Sequence, residues 1–454
     1  MTLTTILFPS VLERHLTNKR IFALISLIIV PILADTSITR ISVYTGSLGS
    51  IMDQILVFGL IFICSVIGQY LLFCFVWSRI QTIARGQMAL LLKPTFAASL
   101  SCMALITYLI VQMLLFESYS TLGFKSVVWT SFAISAFLLG YISYRFFIWA
   151  TRKRNYVVVA YTIALAALSF NCMFSIAYVT HQTSLLNPMS VNKDVIEPSG
   201  PSIGYVGGLS NMVNSLYQIT LIIAFSTTWL ATALLLYHYI GKHNLIKYCI
   251  IIGLPLLYFL GQFPMFPSFF LSFGAQDPIF FGLAFTLLFN ASKPIGGVFF
   301  GVALYSTCKS IKKDEVRDYV LLSSLGMILL FASNQPIALT LMSFPPFGLI
   351  TISILGIASY LLVLGIYTAS VSVANDTELI RFMKKSVRKE YQLLQNIGQA
   401  HREEIQLEQI KTRVLRLTDD LKDEIAEESG VQPSIQPQDL NEYIEKVLKE
   451  VKKK

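Results

Sequence analysis

Charge is scarce in this chain of 454 residues: Asp, Glu, Lys and Arg together make up 13%, against about 25% in a typical soluble domain. The scarcity excludes an ordinary soluble fold, because 54% hydrophobic residues at a mean hydropathy of +0.64 exceed what one soluble core can hide. Cysteine is also sparse. Cys64, Cys74, Cys102, Cys172 and Cys249 fall within apolar runs and Cys308 at the inner end of one, without metal-ligand spacing, so they read as small packing residues. No paired carboxylates, nucleophile elbow or phosphate-binding glycine loop is present, and His181, His238 and His243 form no ligand set. An enzyme reading therefore has no motif to stand on, and no metal or cofactor is expected.

What the chain does have is long apolar runs. Candidate spans lie at Ile21–Ala34, Asp53–Trp77, Pro94–Phe116, Ser126–Trp149, Tyr156–Thr180, Leu216–Ile240, Leu245–Phe263, Ile279–Ser306, Tyr319–Ser333 and Phe347–Val373. The first is short and shares features with a signal peptide, but Pro31 and Asp35 fit a helix end, and it is read as a retained span. Basic residues test the count. With the N-terminus inside, inner segments carry 16 of them, Arg145 among these, and outer segments only Arg40, Lys125 and Lys193. That alternation predicts an all-α polytopic transmembrane bundle of about ten spans with both termini cytoplasmic, in the cell membrane. The net charge of +9 then belongs to short inner loops, and nucleic acid is not an expected partner.

Three regions follow: a membrane body over 1–373, an amphipathic, coiled-coil-like helix over 374–429, and a linker with a last amphipathic helix over 430–454. From Asp376 onward the chain holds 15 basic and 16 acidic residues. Arg381, Lys384, Lys385, Arg388 and Lys389 form a juxtamembrane basic cluster suited to anionic headgroups. Ile380, Met383, Val387, Tyr391 and Leu394 give one apolar stripe, read as continuing the last span. Leu407, Ile410, Val414, Leu417 and Leu421 give about two heptads. Such stripes need cover from each other, a second copy of the chain, a cytoplasmic partner or the bilayer. His401, in AHREEI, lacks the proline of a phosphoacceptor helix, and the 53 residues after it hold no nucleotide-binding segment; an exposed helical histidine is expected.

The best site candidate is FTLLFNASKPIGGVFFG, residues 285–301. Lys293 is the one charge read as lying deep within a span, where lysines face a cavity or a partner. Pro294 withholds a backbone donor and crowds the carbonyl of Asn290, so the helix should break there, with Asn290 and Ser292 beside the lysine. A broken helix of this kind can present Lys293, Asn290, Ser292 and Pro294 to an anionic or polar ligand, as discontinuous transporter helices do, or merely satisfy the lysine with freed carbonyls. Gly297 and Gly301 permit close packing inside the bundle. Two outer segments stand out: His181–Ser215, read as a lid or plain linker, and the aromatic, proline-broken Gln262–Pro278.

The run SKPIGGVFFG looks like the retinal-lysine region of microbial rhodopsins, but Phe289 stands where a carboxylate would be expected, and no span supplies a counter-ion; retinal is not expected on Lys293. From Asn290 onward, KPIGGVFFG, LLFASNQP, PPFGLITISILGIASYLLVLGIY, ANDTEL and EESGVQPSIQPQDLNEYIEKVLKEV resemble a group of archaeal polytopic membrane proteins of unknown function. That resemblance covers the last third and implies architecture without a substrate. Two readings remain: a sensor or receptor that passes a signal from an outer loop or bundle cavity to the tail, and a transporter built around Lys293. A membrane scaffold is the third.

Overall fold

The computed structural model describes residues 26–38, 50–83, 87–152, 155–186, 195–196, 208–237, 245–261, 284, 288–306, 314–335, 344–385 and 392–429. The chain is an all-α polytopic bundle. In order the helices are α1 (Ser26–Ile38), α2 (Ile51–Ile83), α3 (Gln87–Phe116), α4 (Thr121–Arg152), α5 (Tyr156–Leu186), α6 (Gly208–Leu236) and α7 (Leu245–Leu260). After these come α8 (Ser292–Ser306), α9 (Asp314–Ser333), α10 (Leu349–Ser353), α11 (Leu355–Asn375), α12 (Thr377–Lys385) and α13 (Gln392–Ser429). Among the described residues seven helical segments are long and apolar enough to cross a membrane, the joined α10 and α11 counting as one. The expected spans around Ile21–Ala34 and Leu245–Phe263 are represented by the shorter apolar helices α1 and α7, and the span through Lys293 by α8.

Local chemistry sets the helix ends. Ser50 and Asp53 form a reciprocal cap on α2, the Ser50 hydroxyl accepting from the Asp53 amide and the Asp53 carboxylate from the Ser50 amide, both at 3.2 Å. The Asn155 side chain accepts from the Val157 amide at 2.8 Å and starts α5. Between α5 and α6, β2 (Val195–Ile196) forms an antiparallel ladder with β1 (Tyr119–Ser120) of the connection before α4. Gln262–Pro278 lies outside the described residues.

At the centre stands α11, whose apolar stretch, with α10, is buried inside the bundle. It runs antiparallel to α9, and two glycines set the spacing. A methyl group on Gly326 would meet the Leu362 amide nitrogen at 2.3 Å, and one on Gly365 the Ser323 nitrogen at 2.4 Å. Gly297 and Gly301 seat α8 on α9 in the same way, against Phe331, Ile328 and the Ser324 carbonyl. By contrast α3 is mostly outside, with Tyr108, Leu115 and Phe116 exposed. Apolar surface of that extent on α2, α3, α4, α5 and α6 places these helices in a lipid bilayer.

The last span does not run straight into the tail, contrary to the expected continuity. Asp376 is extended, with φ −103° and ψ 101°, and its carboxylate accepts from the Leu379 amide at 2.9 Å, so it ends α11 and caps α12. The chain then turns back. Leu379, Ile380 and Met383 of α12 and Leu393, Leu394, Ile397 and Ala400 of α13 are buried in the same core as α11. The bundle itself covers Ile380, Met383 and Leu394 of the first apolar stripe; Val387 and Tyr391 lie outside the described residues. Beyond Ile405 the helix emerges, and Ile410 and Leu417 are exposed. Arg381 is exposed on α12; the side chains of Lys384 and Lys385, and all of Arg388, Lys389 and 430–454, lie outside the described residues.

Candidate functional site

Two polar assemblies lie at opposite ends of α11. At the end away from the tail, the helix carrying Lys293 is interrupted at Ala291, as Pro294 predicts. Asn290, Ser292, Lys293 and Pro294 are all buried, so the four residues singled out from sequence share one interior location. The Lys293 ammonium donates to the Asn334 carbonyl at 3.1 Å and to the Tyr217 hydroxyl at 3.4 Å, and Tyr217 stacks on Tyr178.

Hydrogen-bond polarity fixes what this layer offers. Thr220 gives its proton to the Tyr217 carbonyl, so its oxygen accepts from Asn171; the Asn171 oxygen then accepts from the Asn334 amide group. Thr36 likewise donates to the Ile32 carbonyl and accepts from Asn290, which also donates to Ser37. The side-chain oxygens of Asn334 and Asn290 and the Ser292 hydroxyl are left buried without hydrogen-bond partners among the described residues. Two of these atoms are acceptors only, which suits a donor-bearing polar ligand or water better than the anion expected from Lys293 alone.

Asp35 is a component that sequence reasoning missed. Read from sequence as a helix end, Asp35 is fully buried within α1, which continues to Ile38 rather than ending at Ala34. Its carboxylate accepts from the Gly348 and Thr351 amides at 2.8 and 2.9 Å and from the Thr351 hydroxyl at 2.7 Å. It therefore caps α10 from a distant helix, where Gly348 takes a left-handed φ of 94° that glycine allows. The run of apolar residues stops one position short of Asp35, which is why it read as a boundary.

The second assembly joins α4 to the tail. Arg145 meets Glu404 in a two-point ion pair at 3.1 and 3.2 Å, about two turns inside α4. Its guanidinium lies over the Trp149 and Tyr367 rings, 5.7 and 5.6 Å from their centroids. His401 is 6% exposed, not the exposed histidine expected; its Nδ1 is 3.3 Å from Glu404, and its ring packs against Trp149 and Tyr367. The His401 hydrogen bond, with the charges of Arg145 and Arg152, outweighs partial burial and holds the Glu404 carboxyl at about 2. A methyl group on Gly398 would fall 2.4 Å from the Val373 side chain, so α13 packs directly on the end of α11.

Comparison with protein-family models, curated proteins and solved structures finds no match to this chain. The site has to be read from its own geometry.

Proposed function

We propose that this multi-pass membrane protein is a sensor whose central helix passes a shift from the end bearing Asp35 and Lys293 to the docked tail. The supporting observation is that α11 is engaged at both ends: through α10 by the Asp35 cap, and at Val373 and Tyr367 by α13. A rigid buried helix touching two polar assemblies is the kind of element through which two sites bias one equilibrium. In this reading the tail is cytoplasmic, the polar layer faces the outer half of the cell membrane, and the exposed far half of α13 reaches a partner or a second copy. The resemblance to archaeal membrane proteins belongs to the same proposal.

A transporter is the second reading, favoured by one observation: an interrupted helix at Ala291 beside buried amide oxygens without partners. Side-specific thiol labelling of Lys293→Cys, with the six native cysteines replaced, separates the two. The sensor predicts labelling from the outer face alone or from neither face. Labelling from both faces, with protection by a polar solute, would replace the sensor with a transporter.

A further inference from the structure

The face of α4 that receives the tail carries more donors than the tail uses. Arg145, Trp149 and Arg152 recur at four- and three-residue steps and so share one face of the helix. Arg145 spends two of its nitrogens on Glu404, while Arg145 Nε, Trp149 Nε1 and Arg152 Nη1 are buried without hydrogen-bond partners among the described residues. Trp149 is 1% exposed, so its indole N–H has left water without a replacement among the described residues. Every one of these atoms is a donor, and two belong to guanidiniums. Glu404 is the carboxylate that feels both arginine charges, and Glu408 is near enough to act on Tyr367 beside it. A cationic, donor-only group of atoms with spare N–H bonds is what a phosphate group recognises. It lies at the tail end of α4, at the depth of lipid headgroups if α4 spans the bilayer.

We propose that the junction of α4 and α13 is a binding site for a phosphate group, held by Arg145 Nε, Arg152 and the Trp149 indole beside the Arg145–Glu404 pair. The source is a phosphomonoester lipid headgroup or a free phosphate; the recognition chemistry is the same. Its regulatory meaning rests on the sensor reading: because the anion shares the Arg145 charge with Glu404, it sets how firmly α13 is held.

The test uses the full chain in phosphatidylcholine nanodiscs, alone, with phosphatidic acid, or with inorganic phosphate at matched ionic strength. Unfolding temperature and lipid retained in native mass spectrometry report binding. Arg152→Gln keeps the Arg145–Glu404 pair and should weaken binding about tenfold or more, as expected for one charge-assisted hydrogen bond. Trp149→Phe keeps the packed ring, removes only the N–H, and should weaken it about fivefold. A response to phosphatidic acid alone identifies a headgroup site, and a response to both identifies a general phosphate site. No response, or responses unchanged in both variants, overturns the proposal. Spin-label distances between α4 and α13 in the same samples keep the two ideas apart. Binding without tail movement leaves the site standing and sinks the sensor; tail movement driven from the far end without phosphate binding sinks the site.

Discussion

Two buried positions, Gly365 and Asp35, carry the residue-scale account. Gly365 has the Ser323 nitrogen 2.4 Å and the Tyr319 carbonyl 2.5 Å from where a methyl group would sit, and both are backbone atoms that cannot swing aside. Gly365→Ala should therefore cost about 1–3 kcal/mol, the range for overpacking, read as a lower unfolding temperature in detergent. Gly356→Ala is the control, since its methyl group would meet only Ile134 at an ordinary 3.5 Å. Asp35→Asn keeps the size of the side chain but loses one acceptor oxygen among three hydrogen bonds, two of them from backbone amides. A loss of about 1–3 kcal/mol and faster amide exchange at 348–351 is expected. Unchanged exchange there would mean that Asp35 is not what holds α10.

Among the elements, α13 is the one whose behaviour follows most directly from its chemistry. Its first half is held by apolar burial and by the Arg145–Glu404–His401 cluster, and its far half leaves the bundle. Glu404→Gln removes the ion pair but not the packing. Allowing for solvent screening of a partly exposed pair, the docked state should lose about 1 kcal/mol, a roughly fivefold shift towards the free tail. Limited proteolysis at 392–405 would read it. The sign with pH follows from the depressed carboxyl. Glu404 contributes its full stabilisation above its ordinary value of 4.5, and that share is lost as pH falls from 4.5 through about 2. Loss of the Glu404 share at higher pH would contradict the assignment; the comparison is wild type against Glu404→Gln.

At the scale of the whole molecule, the sequence was most informative where a single physical rule acts alone. Apolar length located the membrane body, and the cost of burying a charge singled out Lys293, with Asn290 and Ser292 beside it in the interior. Pro294 foretold the interruption at Ala291. Pairing between distant segments was harder to see. Gly326 and Gly365 matter because their helices cross, and no spacing within either helix shows it. Arg145 counted as a loop charge because its partner, Glu404, lies 259 residues away. The tail stripe announced that something must cover Leu394 without naming the bundle as the cover. Asp376 did carry a signal, since an Asn-Asp-Thr run favours a helix cap over helical continuity.

The central claim is that the two ends of α11 are coupled. Hydrogen exchange on the full chain in lipid nanodiscs, comparing wild type with Thr351→Val, tests it most directly. Thr351 donates to Asp35 through its hydroxyl and lies far along the chain from the tail contacts at Val373 and Tyr367. The account predicts faster exchange both at 348–351 and, through α11, at 392–405 of the docked tail. Faster exchange at 348–351 with unchanged protection at 392–405 would contradict it.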